Sequence, residues 1–76
     1  PWGTQVILEP ALDLVPTHEP VHFSDIENAA GERGLIALGL QRGLGADARV
    51  DLNPDRDAEW KLAPDDMVVA LATFEK

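Results

Sequence analysis

The residues able to do chemistry in this 76-residue chain fall into two groups. His18 and His22 stand four apart, the spacing at which a helix would offer two imidazoles to one metal ion. Pro20 lies between them and breaks that helix, so both read as loop histidines. The second group is acidic: Asp47, Asp51, Asp55, Asp57, Glu59, Asp65 and Asp66 are seven of the chain's 14 acids, all within residues 47–66. Asp55, Asp57 and Glu59 alternate like the oxygen ligands of a Ca²⁺ loop. The glycine that turns such a loop and its later bidentate glutamate are absent, which favours a solvated acidic face. Asp65 and Asp66 follow Pro64 and read as a turn, with a cation shared between subunits as the sharper alternative. The sequence assigns no metal site and no ligand-binding residue; Asp55, Asp57, Asp65 and Asp66 are the candidates it leaves. Arg33 and Arg42 would suit an anion, but neighbouring acids favour surface ion pairs. Trp60 reads as a core or interface anchor and Asn53-Pro54 as a turn.

Catalysis finds little support in these residues. There is no cysteine or tyrosine and there are two loop histidines, which leaves nucleophilic routes thin. Acid–base chemistry needs two carboxylates of separated pKa in a cleft, and no segment builds one. The expectation is a domain without catalytic residues that is not an enzyme. Six Lys+Arg against 14 Asp+Glu give a formal net charge of -8, which repels phosphate backbones and anionic headgroups. Neither nucleic-acid binding nor membrane insertion is expected.

The elements that would position these groups belong to one small domain. A core of this size supplies about 3–5 kcal/mol, with no disulfide to add to it, so a partner or second copy is a natural source of stability. Pro1-Trp2-Gly3 shows neither an initiator Met nor a signal peptide, and the chain reads as an excised, soluble piece of a larger protein. No apolar run approaches the roughly 20 residues needed to span a bilayer.

Gly3 to Glu9 reads as a first strand stopped by Pro10. Leu12, Leu14 and Val15 suggest a second short extended piece, followed by an irregular or edge connection from Pro16 to His22. Ser24 and Glu27 match a capping box and predict a helix over Asp25 to Arg33, with Ile26, Ala29 and Ala30 as its apolar stripe and Gly34 as its stop.

The second half predicts three strands. In Leu35 to Gln41, Leu35, Ala37, Gly39 and Gln41 alternate with Ile36, Leu38 and Leu40, so both faces are largely apolar, as in a central strand covered twice. Ala48, Val50 and Leu52 are expected inward, with Arg49, Asp51 and Asn53 outward. Met67 to Phe74 again has two apolar faces and is placed beside the Leu35 strand. One ten-residue helix cannot cover two such strands, which points to a partner surface, although segments from the first twenty residues would supply some cover. Phe23, Ile26, Leu38, Leu40, Val69 and Leu71 are the expected core, and Leu38→Asp is expected to unfold the domain by burying an unpaired charge.

Several features in order form a larger pattern. They are Phe23-Ser24-Asp25-Ile26, Ala29 to Glu32, Ala37-Leu38-Gly39-Leu40, Leu52-Asn53-Pro54, and Leu62-Ala63-Pro64-Asp65-Asp66 before a final apolar strand. This pattern, from about Gly3 to Phe74, resembles the C-terminal lobe of domains that regulate K⁺ conductance, the RCK or TrkA-C type, and is most similar to the lobe of Castor/Pollux-type ion channels and their bacterial relatives. The resemblance implies a non-enzymatic regulatory domain on the cytosolic side of a membrane. It implies pairing with a second copy, a nucleotide-binding-type N-lobe in the same chain, and a membrane pore. A divalent cation or nucleotide would act on the full assembly, with no cofactor held by residues 1–76 alone. Gly43-Leu44-Gly45 is not a nucleotide-binding turn, because no helix follows it. An adaptor or protein-interaction domain unrelated to channels is the alternative. The expected fold is α+β: a mostly antiparallel sheet of about four or five strands with one short helix packed on it.

Overall fold

The computed structural model describes residues 2–75, with side chains described from residue 3 to residue 73. In chain order the elements are β1 (Trp2–Pro10), α1 (Ala11–Leu14), β2 (Val21–His22), α2 (Phe23–Glu32), β3 (Leu35–Arg42), a 3₁₀ turn (Gly45–Asp47), β4 (Arg49–Leu52), β5 (Glu59–Trp60) and β6 (Met67–Glu75). The main sheet has four strands in the order β1-β6-β3-β4, and β2 and β5 form a separate ribbon. Every pairing is antiparallel. The α+β architecture expected from sequence is therefore present, with β6 beside β3 as anticipated. No helix among the described residues is long and apolar enough to cross a membrane.

The helices cover one face of the main sheet. Phe23, Ile26 and Ala30 of α2 and Ala11 and Leu14 of α1 form the core with Ala37, Leu40, Val68 and Ala70 of the strands. Ile26 is fully buried, so Ile26→Ala is expected to cost about 2–5 kcal/mol. Urea denaturation measures this, and a shift below 1 kcal/mol, the low end for removing methylenes, would place Ile26 outside the core.

Four local expectations are corrected. Residues 11–14 form a helical turn instead of an extended piece, closed by the Val15 N–H donating to the Ala11 carbonyl at 2.9 Å. Helical spacing brings Ala11 and Leu14, at i and i+3, into the core together, whereas a strand would place them on opposite faces. Pro16 then blocks continuation of the helix. In the connection that follows, Val21 and His22 pair with Trp60 and Glu59. The extended backbone of His22 makes it the residue that starts α2, and its N–H donates to Asp25 Oδ2 at 2.9 Å. Asp25 thus does what Glu27 was expected to do, and Ser24 lies inside the first turn. The helix begins two residues early because that start buries Phe23 with Ile26 and Ala30, at i, i+3 and i+7. Its end is as expected: Gly34 has φ 74°, and its N–H donates to the Gly31 carbonyl at 3.1 Å.

The third correction is in β3. Ala37 pairs with Ala70 but Gly39 pairs with Val69, so Leu38 is an extra residue, a β-bulge against β6. Alternation breaks there. Ala37 and Leu40 both reach the core, while Leu38 is half-buried and outside it. Of the expected core, Phe23, Ile26, Leu40 and Val69 are buried and Leu71 is half-buried. The position at which a buried charge should unfold the domain is consequently Leu40, which is 1% exposed. Thermal melts of Leu40→Asp and Leu38→Asp are expected to show the first unfolded and the second folded with a lowered melting temperature. The reverse ranking would contradict the bulge.

The fourth concerns β4. Val50 and Leu52 are exposed, along with the rest of that strand, because the register puts both on the sheet face opposite the helices. The expected inward alternation correctly separates the two faces but assigns the apolar one to the wrong environment. The side chain of Phe74, placed on a face of the last strand from sequence, lies outside the described residues.

Candidate functional site

Cross-strand partners in an antiparallel sheet point to the same side, so the register fixes the composition of the uncovered face. Val6 pairs with Leu71, which pairs with Ile36; Leu8 pairs with Val69. On the far edge Val50 faces Gln41, and Leu52 faces Gly39. Val6, Leu8, Ile36, Val50 and Leu52 are each more than half exposed, and the half-buried Leu71 and buried Val69 lie between them. Thr4 and Thr73 share this side by the same register. Among residues 3–73, no Asp, Glu, Lys or Arg occupies it, although a quarter of the chain is charged. Antiparallel sheets with one solvated face ordinarily make that face polar, so this apolar expanse is the principal surface feature of the molecule. Segments near the N-terminus do not cover it, since Ala11 and Leu14 pack with α2 on the opposite face.

The acidic candidates are placed separately. Pro64 and Asp65 are the central residues of a β-turn closed by the Asp66 N–H donating to the Ala63 carbonyl at 2.9 Å. Asp65 is exposed, whereas Asp66 is 4% exposed. The Asp66 carboxylate accepts from the Ala63 N–H at 2.8 Å and from Arg42 Nη2 at 2.9 Å, with Nε at 3.4 Å from its other oxygen. Its lone pairs are engaged in holding the turn. Arg42 also donates to the Lys61 carbonyl at 2.8 Å, and its guanidinium carbon lies 5.4 Å from the Trp60 ring centroid. Trp60 packs against the edge of the core, in keeping with an anchor. Arg33 donates to the Asp13 carbonyl at 2.8 Å. Arg42 thus forms an ion pair as expected, but with a buried carboxylate rather than a surface one, and Arg33 instead tethers α1.

Asp55 and Asp57 sit in the exposed link between β4 and β5. Asp55 Oδ1 accepts from the Asp57 N–H at 2.9 Å, and its backbone carbonyl from the Ala58 N–H at 3.2 Å, so this carboxylate shapes its own loop. Nearby Arg56 reaches Glu27 at 3.4 Å in an exposed pair worth little. His18 lines a shallow hollow of about 240 Å³ with Leu12, Pro16 and Thr17, whereas His22 sits at the start of α2, so the two do not form one site. Among the described residues, no group of three His, Cys, Asp or Glu could hold a metal ion.

The structure thus separates the residues singled out for chemistry and assembles others into a continuous surface. Val6, Leu8, Val50 and Leu52 received no functional role in the sequence. The available signal was Val6-Ile7-Leu8, where an uninterrupted apolar run in an edge strand leaves apolar groups on both faces. No protein-family model matches the chain, and neither a curated protein nor a solved structure matches it.

Proposed function

We propose that this chain is a non-catalytic regulatory domain of an ion channel or transporter, for potassium or another cation, contributing to cytosolic assembly and ligand-dependent gating. The observation that carries the reading is the exposed apolar face spanning all four strands, a surface suited to lasting contact with protein. The order of elements supports the RCK/TrkA-C likeness. The helix α2 leads into the bulged strand containing Ala37-Leu38-Gly39-Leu40, Leu52-Asn53-Pro54 ends β4, and the Ala63–Asp66 turn feeds the central strand β6. In this reading a nucleotide-binding-type N-lobe of the same polypeptide and the pore are the neighbours of residues 1–76. A divalent cation or nucleotide regulates the assembly by binding one arrangement of lobes more tightly than another.

The test is cation flux through the polypeptide that carries this domain, reconstituted in vesicles, with residues 1–76 present or deleted. Flux is read over a titration of Ca²⁺ and, separately, of a nucleotide. Deletion is expected to abolish or shift the ligand response by at least about tenfold in ligand concentration, about 1.4 kcal/mol of coupling. Cation flux with an unaltered response would overturn the regulatory role. Absence of cation flux with the domain present would favour an adaptor unrelated to channels, which the same apolar face would serve.

A further inference from the structure

We propose that the uncovered face of the main sheet is a self-association surface, packing against the same face of a second copy of this chain to form a two-fold β-sandwich. The choice of a second copy rests on the reading above that the domain works by assembly. The location rests on the structure alone.

Three observations select the occupant. The first is area. With strands of nine, nine, eight and four residues, at about 4.8 Å between strands and about 3.3 Å per residue, the sheet presents a plane of about 450–500 Å². Two such planes bring the pair to about 1,000 Å² before side-chain relief is added, the scale at which specific interfaces begin. The second is composition. Val6, Leu8, Ile36, Val50 and Leu52 stand above a floor of Val69 and Leu71, giving the raised and recessed apolar relief that lets two sheets interdigitate about 10 Å apart.

The third is charge. A basic partner would be recognised by acids spread over the contact surface, and among residues 3–73 the register puts none there. The acids between residues 3 and 73, which make up most of the 14 behind the net charge of -8, lie off this face. Two like-charged copies can therefore meet through their apolar faces, with their charges opposing the approach at longer range. At physiological salt the screening length is about 8 Å, short compared with the molecule's smallest extent of 21 Å. Pairing is accordingly expected to strengthen as salt is added, opposite to a contact held by ion pairs.

The experiment is sedimentation equilibrium of the 76-residue chain up to millimolar concentration, at low ionic strength and at about 0.5 M salt. The expected result is a species of twice 8.2 kDa whose dissociation constant falls as salt rises. Val6→Lys and Ile36→Lys each place a charge in the contact and should weaken pairing by about tenfold or more. Circular dichroism at each concentration checks that the variants remain folded. Leu52→Lys on the edge strand is the substitute if either does not. A monomer at millimolar protein and high salt would overturn the proposal, as would a dimer indifferent to these lysines or one dissociated by salt. The two readings fail separately. A monomeric chain whose deletion alters the ligand response leaves the regulatory role standing without this interface. A salt-strengthened dimer with no effect on flux leaves the interface without that role.

Discussion

Replacing Gly39 with alanine is expected to unfold the domain or strip β4 from the sheet. A Cβ at this position would lie 2.2 Å from the Asp51 carbonyl oxygen and 2.9 Å from Leu52 Cα, and both are backbone atoms of a paired strand that cannot rotate aside. Relief requires β3 and β4 to part at the Gly39–Leu52 pair, immediately beside the bulge at Leu38. Overpacking of this severity costs about 3 kcal/mol or more, comparable to the whole stability of a domain this small. Urea denaturation distinguishes the two results. Global loss lowers the midpoint at unchanged slope, whereas a detached β4 lowers the slope as well, because less surface remains to be exposed on unfolding. A Gly39→Ala protein with the parent's midpoint would show that β3 and β4 are not held this closely.

The second large effect is expected at Asp66. Its carboxylate is nearly inaccessible and satisfies the Ala63 N–H and Arg42 together, while its backbone carbonyl accepts from the Ala11 N–H at 2.9 Å. One residue thereby fixes the turn before β6, the end of β3 and the start of α1. Asp66→Ala leaves the Ala63 donor without this partner and removes the charge that holds Arg42, for an expected loss of about 3 kcal/mol. Asp66→Asn keeps an acceptor for the Ala63 amide and should retain roughly half of that. Arg42→Met strands the buried carboxylate, but the arginine side chain is 40% exposed, so water reaching the vacated space moderates the loss to about 2 kcal/mol. The ranking Ala, Met, Asn, from worst to mildest, is read from thermal melts of the three variants. Equal melting temperatures would assign the turn's stability to Pro64 and the backbone instead.

The sequence carries the strands more clearly than it carries their surroundings. The runs from Gly3 to Glu9, Leu35 to Gln41 and Met67 to Phe74 contain consecutive apolar residues, the first two marked off by glycine or proline and the third preceded by the Pro64-Asp65-Asp66 turn, and each lies within a strand. Ile26, Ala29 and Ala30 likewise mark the helix. The Leu38 bulge was not legible, because it follows from fitting one side chain more on β3 than on β6, and periodicity read from a single strand has no partner against which to count. The capping residue was missed for a related reason: β2 holds His22 extended through a pairing with Glu59 that is 37 positions distant in the sequence. Val50 and Leu52 show that alternation separates two faces without stating which one is wet. Among the candidate site residues, the turn role of Asp65-Asp66 was readable from Pro64. The engagement of Asp66 by Arg42, across 24 positions, required the fold.

The first and last strands are hydrogen-bonded neighbours, from Trp2 opposite Glu75 to Pro10 opposite Met67. Nine pairs thus close a loop containing nearly all of residues 1–76, and an inner strand of the sheet is the last of its strands to be synthesised. Such a fold has a high contact order, which places its formation among the slower of small domains. The native core cannot assemble on a ribosome until β6 has emerged, and until then Val6-Ile7-Leu8 waits as an unpaired strand. Any truncation within β6 removes the shared partner of β1 and β3 together, so a trimmed version of this domain is expected to lose its fold entirely instead of shedding one edge.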